Sequence, residues 1–324
     1  MTTRIDRALG SVFGAAGGDS LGAAVEFMSL SQIRQAYGRD GIQEPDAFYG
    51  FPAFCITDDT QQAIALGEGL ITAIGDGLSV DGIRRGVWSS LKRWHQSQGI
   101  PNQRRAPGST SMSSLSRDLP GSIETPLNRS DSCGSVMRAH PVGILYAGHP
   151  EAAYEVGIET AVLTHGGILG RSAAGMLAVI VSELCVGKDL RQSYATAERI
   201  VRNEIGIDPL LALTRRAMEL EPAPAVTAES GLGQGWEGHD ALAIGLYAAR
   251  CHEREYLAAV RLAANHDGDS DSTASIAGAL IGARLGLASI PRSWYQRLER
   301  RADIARVANV LSVVEPVSAK LPVQ

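Results

Sequence analysis

An all-α fold is what this 324-residue sequence predicts. Three observations carry that expectation. Apolar residues recur at three- and four-residue spacing along most of the chain, with no sustained alternation marking strands and no βαβ rhythm. Boundary signals such as Thr3, Pro150, Asp208-Pro209 and Pro291-Arg292-Ser293 stand where helices should begin. The composition agrees, because 36 glycines, abundant alanine and 5% aromatics suit closely packed helices better than a β-sandwich.

In chain order, Ile5, Ala8, Leu9, Val12 and Phe13 form one buried face of a first helix with Thr3 as its N-cap. Gly17-Gly18 reads as a stop signal, with Asp19 ending the helix. A second helix is expected over 60–74. A third carries Ile83, Val87, Leu91 and Trp94 inward and Arg84, Arg85, Lys92 and Arg93 outward. Further helices are expected over 150–163, 168–186, 189–204, 208–219, 239–263, 272–286 and 292–314. Two stretches break the rhythm. One runs from Gly99 to Cys133, rich in Ser, Pro, Gly and Arg; the other runs from Glu221 to Gly238. Loops this long inside a compact domain are usually functional or disordered, and a linker between two domains is the alternative. The strongest chemical signals flank both, so a single domain over 1–324 is expected, without internal repeats.

The net charge of −5 and a pI near 5.8 argue against general affinity for nucleic acid or an anionic membrane surface. The pairs Arg84-Arg85, Arg104-Arg105 and Arg300-Arg301 read as solvated faces. The longest apolar stretch, Ala173 to Val186, contains Glu183. As a helix it spans about 21 Å against a hydrocarbon core of about 30 Å, so it reads as a core helix and not a membrane span. Met1-Thr-Thr-Arg-Ile-Asp-Arg has no apolar run of the signal-peptide kind. Cys55, Cys133, Cys185 and Cys251 show no paired spacing, so reduced thiols in a cytoplasmic protein are expected, none of them a nucleophile.

Two acidic segments carry the chemistry: Thr57-Asp58-Asp59-Thr60 before one helix and Asp269-Ser270-Asp271-Ser272-Thr273 before another. Helix capping needs one such residue and contributes about 1 kcal/mol. Here several oxygen-bearing residues stand in a row, with no Lys or Arg from Phe51 to Leu66 or from Asn265 to Ala283. Adjacent carboxylates without cations resist ionising together. A divalent cation resolves this, and oxygen donors suit Mg²⁺, Mn²⁺ or Ca²⁺ better than Zn²⁺; four carboxylates can accommodate two ions. Asp19 and Glu26, within Gly18–Phe27, are weak evidence by themselves. Gly134-Ser135, within Cys133–Pro141, offers backbone N–H groups to an anion such as a diphosphate but lacks a P-loop lysine. His165, in Thr164-His165-Gly166-Gly167, reads as a cap more readily than as a catalytic group. The other six histidines form no ligand-spaced set.

Taken in order from Leu9 to Trp294, these segments resemble the ADP-ribosylglycohydrolase family, which includes dinitrogenase reductase-activating glycohydrolases and ADP-ribosyl-arginine and ADP-ribosyl-serine hydrolases. The resemblance rests on Gly14-Ala-Ala-Gly-Gly-Asp19-Ser-Leu-Gly22 with Glu26, Thr57–Thr60, Gly134–Arg138 with Pro141, Thr164-His165, and Gly268–Ser272. It implies a compact orthogonal multi-helix bundle around a dinuclear Mg²⁺ or Mn²⁺ centre. The implied metal ligands are Thr57, Asp58, Asp59, Asp269, Asp271 and Ser272. Glu26 matches a mobile glutamate that contacts the metal site and gates substrate access. Gly108-Ser109 and Gly134-Ser135 look like diphosphate contacts, Met137 joins them as a substrate contact, and His165 matches a histidine beside the distal ribose. Two departures stand out. Ser272 replaces an expected threonine, so the hydroxyl ligand could shift to Thr273, and Asn265-His266-Asp267-Gly268 replaces a Gly-Gly pair, with no role evident for Asp267.

The implied reaction is hydrolysis of the bond between C1″ of ADP-ribose and an attached group, through an oxocarbenium-like state, with a metal-polarised water. Asp59, Asp269 and Glu26 are all candidates for the base. The expected substrate is an ADP-ribosylated protein, with arginine as one candidate for the modified side chain. The alternatives are a free ADP-ribosyl compound, ADP-ribosylated nucleic acid, or a non-enzymatic ADP-ribose-binding or crystallin-like role. The intact carboxylate set argues against the last.

Overall fold

Helix-forming sequence fills most of the chain, and the computed structural model describes residues 2–315. Residue 1 and residues 316–324, the two ends of the expected domain, lie outside the described residues. Among the described residues there is no strand, only isolated bridges between Phe48 and Phe51 and between Ser132 and Glu237. The helices are α1 (Arg4–Gly22), α2 (Leu30–Tyr37), α3 (Asp58–Ile74), α4 (Val80–Ser97), α5 (Ser109–Leu115), α6 (His140–Leu145), α7 (Pro150–Val162) and α8 (Ile168–Cys185). They continue as α9 (Leu190–Val201), α10 (Asp208–Glu219), α11 (Gly238–Cys251), α12 (Tyr256–Ala264), α13 (Ser270–Leu285), α14 (Arg292–Tyr295) and α15 (Arg301–Val313). The all-α expectation is borne out.

Local chemistry explains the starts. The Thr3 side chain accepts from Asp6 N, and Ser29 and Asp189 form capping boxes with Gln32 and Gln192. Pro141, Pro150 and Pro209 sit in first turns, where a missing N–H costs nothing. Asp267, which had no assigned role, accepts from Leu30 N at 2.6 Å and so anchors the start of α2.

The central pair is α1 against α13. Gly10, Gly14, Gly18 and Gly22 face Gly282, Gly278, Ala274 and Ser270, a four-residue repeat on both helices. A Cβ on Gly18 would stand 2.0 Å from the Ala274 carbonyl oxygen, and one on Gly278 2.0 Å from that of Gly14. The Gly17-Gly18 stop signal is therefore overturned. Gly18 lets two backbones meet, Gly17 faces the Tyr256 hydroxyl, and α1 continues to Gly22. The antiparallel pairing lays the C-terminal end of α1 beside the N-terminal end of α13. Gly278→Ala is expected to cost about 2–3 kcal/mol, because neither backbone can give way without separating the helices; thermal denaturation against the parent protein checks this.

Other expectations need correction. The helix expected over 239–263 breaks at Cys251, and the one over 292–314 breaks after Tyr295. The Gly99–Cys133 loop contains α5, and α2 and α6 lie outside the expected helices. Arg105 is not on a solvated face. It is 4% exposed, donates to Ile56 O and pairs with Glu299, and its guanidinium lies 3.7 Å over the Phe51 ring. The apolar helix α8 is 18 residues long, enough by length and composition to cross a membrane, yet 83% of it is buried inside the structure. Burial, not shortness, makes it a core helix, and it joins one contiguous hydrophobic cluster.

Candidate active site

The two acidic segments meet at the junction of α1, α3 and α13. Thr57 caps α3, its hydroxyl accepting from Asp59 N at 3.2 Å, and Asp269 caps α13, its carboxylate accepting from Ser272 N at 3.3 Å. Capping thus accounts for one residue in each segment. Asp58, Asp59 and Asp271 are left over, all buried.

Asp19 braces the first segment from α1. Its carboxylate accepts from Thr57 N at 3.1 and 3.2 Å, from Thr60 N at 3.1 Å and from the Thr60 hydroxyl. From the other side Asp58 N donates to Arg105 O at 3.2 Å. Asp58 Oδ2 accepts from Gln62 Nε2 at 2.8 Å, and Asp59 Oδ2 is buried without a partner. In the second segment, Asp271 Oδ1 accepts from Ser272 N at 2.9 Å, and the Cys133 thiol donates to Asp269 Oδ2 at 2.8 Å. Ser272 Oγ lies 3.6 Å from Cys133 Sγ and 3.7 Å from Met137 Sδ, both on the lining of the cavity that the acids share. Thr273 is turned away, its hydroxyl 2.7 Å from Asp269 O and 2.8 Å from Ala263 O. The geometry therefore leaves Ser272, not Thr273, facing the cluster. Glu26, on the turn after α1, brings a carboxylate oxygen within 4.8 Å of oxygens of Asp269 and Asp271, and its Oε2 has no partner.

These acids line a cavity of about 440 Å³. Glu26, Asp58, Asp59, Asp269, Asp271 and Ser272 contribute to it, as do Gly108, Ser109, Gly134, Met137 and His165. Thr57 and Ser135 are both 1% exposed and stand behind this lining. Phe27 and Trp236 also line the cavity, their rings stacked with centroids 5.2 Å apart, and Glu237 adjoins them. A larger cavity of about 630 Å³ lies on another side of α3, bordered by α4 and α15. Its charges largely neutralise one another, Arg306 with Glu68 and Arg300 with Asp303, and it includes none of the acidic cluster.

Burial first, and mutual repulsion second, push the cluster's carboxyls upward: Asp19 to about 7, Glu26 to about 11, and Asp58, Asp59 and Asp269 well above the ordinary range. Burial raises Asp271 as well, and its charge is the leading repulsive cause for each of the others. Among the described residues, no Lys or Arg forms an ion pair with any of them. Two orphaned buried oxygens amid unpaired carboxylates fit a hard divalent cation. One consequence concerns stability. Folded-state values above the unfolded ones mean that the folded chain holds more protons, so stability falls as pH rises through them. The metal-free protein is therefore expected to melt higher at about pH 5.5 than at about pH 8, and divalent metal should stabilise it most at the higher pH. Thermal scans with and without a chelator test this.

Behind Asp58 runs a buried polar chain. Arg138, with no exposed surface, donates through Nη1 to Gln62 Oε1 at 2.5 Å and through Nη2 to Thr164 Oγ1 at 2.6 Å. Thr164 Oγ1 lies 2.8 Å from His165 Nδ1. The sequence alone gives no role to Gln62 or Arg138, and in it Asp19 reads as a helix terminator. The available signal was their setting, since Arg138 stands among Val136, Met137, Ala139 and Val142, where an unpaired charge would not be tolerated.

A model of the ADP-ribosylglycohydrolase family matches residues 1–319. The chain belongs to the ADP-ribosylglycohydrolase family. It is accordingly an ADP-ribosyl hydrolase. Among relatives of this family, the ADP-ribosyl-[dinitrogen reductase] glycohydrolase of Rhodospirillum rubrum is 27% identical over 92% of each chain. The ADP-ribosylarginine hydrolase Tri1 of Pseudomonas putida is 25% identical over 95% of this chain and 78% of its own. A solved structure described as an ADP-ribosylglycohydrolase-related protein complex superposes with a TM-score of 0.73 at 26% identity, covering 96% of this chain and 99% of that one.

Proposed function

We propose that this enzyme hydrolyses the N-glycosidic bond between C1″ of ADP-ribose and an arginine side chain of a modified protein, with two Mg²⁺ or Mn²⁺ ions as cofactors. The observation that carries the proposal is the buried, cation-free carboxylate cluster on the wall of a cavity of about 440 Å³. The names of the Rhodospirillum and Pseudomonas relatives support the substrate class. So do the aromatic faces of Phe27 and Trp236 beside Glu26 and Glu237, which suit a planar guanidinium.

Thr57, Asp58 and Asp59 from the α3 side and Asp269, Asp271 and Ser272 from the α13 side would hold the ions. When bound, these supply positive charge that orients ribose hydroxyls and acidifies a water. Gly108, Ser109, Gly134 and Met137 bind the diphosphate and ribose along the cavity wall, while Ser135 supports Gly134 from behind. Of the three candidate bases, Asp269 has both oxygens engaged, by Ser272 N and the Cys133 thiol. Asp59 and Glu26 each keep a buried oxygen without a partner among the described residues, and whichever of the two does not hold an ion through it would take the water's proton. The developing oxocarbenium charge is stabilised by the surrounding carboxylates.

The test is release of ADP-ribose from arginine-linked, serine-linked and nucleic-acid-linked substrates assayed in parallel. Arginine-linked substrate should turn over at least about 100-fold faster than the others, a difference of roughly 2.7 kcal/mol in barrier. Equal rates, or preference for another linkage, would reject the arginine assignment.

A further inference from the structure

The polar chain behind Asp58 has one direction, and Arg138 sets it. A guanidinium donates only, so Gln62 Oε1 and Thr164 Oγ1 must both accept from it. The Gln62 amide is thereby oriented, its Nε2 donating to Asp58. On the other arm, the hydroxyl proton of Thr164 needs an acceptor. Among the described residues, the only other hydrogen-bond partner of Thr164 Oγ1 is His165 Nδ1, at 2.8 Å. Nδ1 must then be the bare nitrogen, and the ring proton sits on Nε2. Burial, and after it the Arg138 charge, favour the neutral ring independently. Nε2 faces Gly134, where a Cβ would approach it to 2.9 Å, and His165, Gly134 and Ser111 all line the cavity.

We propose that Thr164 and Arg138 are positioning residues that lock His165 in its neutral Nε2–H tautomer, making it a fixed hydrogen-bond donor to an oxygen of the bound ADP-ribosyl group. The lock itself follows from the hydrogen-bond directions; the ligand rests on the reading of the cavity given under Proposed function. A donor held in one tautomer needs no reorganisation when substrate arrives, and the absence of a side chain on Gly134 keeps it uncovered.

The experiment is a long-range ¹H–¹⁵N correlation spectrum of the full chain labelled on its seven histidines, with His165→Gln assigning the His165 signals. A pyridine-like Nδ1 and a pyrrole-like Nε2 are expected, and saturating ADP-ribose should shift Nε2. Thr164→Val should mix the tautomers and weaken ADP-ribose binding roughly tenfold, the scale of one neutral hydrogen bond, while Thr164→Ser restores both. A protonated Nδ1 in the parent protein would overturn the lock. So would a folded Thr164→Val variant that keeps the parent spectrum and affinity. If Thr164→Val does not fold, the parent and Thr164→Ser spectra decide. A pure Nε2–H signal unmoved by ADP-ribose would leave the lock standing and reject the cavity as the ADP-ribose site.

Discussion

Asp271→Asn is expected to abolish divalent-metal binding and lower kcat/KM by at least about 1000-fold, while raising the melting temperature of the metal-free protein by a few degrees. The two effects share one cause. Asp271 is the electrostatic centre of the cluster, the leading source of repulsion for Asp19, Glu26, Asp58, Asp59 and Asp269. Neutralising it relieves the strain of burying like charges and removes the attraction for a cation. Stability gained where function is lost would mark a site whose buried charges serve function at a cost to folding. Calorimetric titration with Mn²⁺, paired with a thermal scan, gives both readings. Unchanged Mn²⁺ binding in a folded variant would remove Asp271 from the metal site.

Asp19→Ala should do the opposite to stability. Asp19 is no more exposed than Asp271, yet it accepts from two backbone N–H groups and one hydroxyl of the Thr57–Thr60 segment. Each buried donor left without an acceptor costs about 1–3 kcal/mol, and relief of repulsion from Asp271 offsets part of the sum. A net loss of roughly 3 kcal/mol is expected, with metal affinity reduced about 10–100-fold because Thr57, Asp58 and Asp59 lose their brace. Asp19→Asn should fall between, since its amide oxygen can keep the Thr60 donors while its NH₂ group is turned onto the Thr57 N–H. Urea denaturation and metal titration separate these cases. A variant with parent stability and parent affinity would show that the brace is dispensable.

The acidic segments were legible because their signal is local: four carboxylates, two helix starts, and no cation within reach along the chain. Glu26 was not, since one acid after an apolar run looks like a surface residue; only the resemblance joined it to the set. Arg138, Gln62 and Thr164 form their chain across separations of 76 and 26 residues, which no window of sequence displays. Arg105 looks like a surface residue in the sequence for the same reason, its partner Glu299 lying 194 residues away. The error at Gly17-Gly18 has a different origin. Glycine marks both helix ends and helix contacts, and what distinguishes them here is spacing. Gly10, Gly14, Gly18 and Gly22 repeat every four residues and meet a matching repeat from Ser270 to Gly282. The break after Cys251 had a visible cue in His252-Glu253-Arg254-Glu255, a polar run inside an otherwise apolar pattern.

Under the function proposed above, the buried carboxylates form a divalent-metal centre that drives ADP-ribosyl hydrolysis. Its most direct test is ADP-ribose release from an arginine-modified protein by enzyme first stripped with a chelator and then titrated with Mn²⁺ or Mg²⁺. No turnover is expected from the stripped enzyme, with full recovery as about two ions bind per chain. Undiminished turnover in the stripped enzyme, verified metal-free, would contradict it.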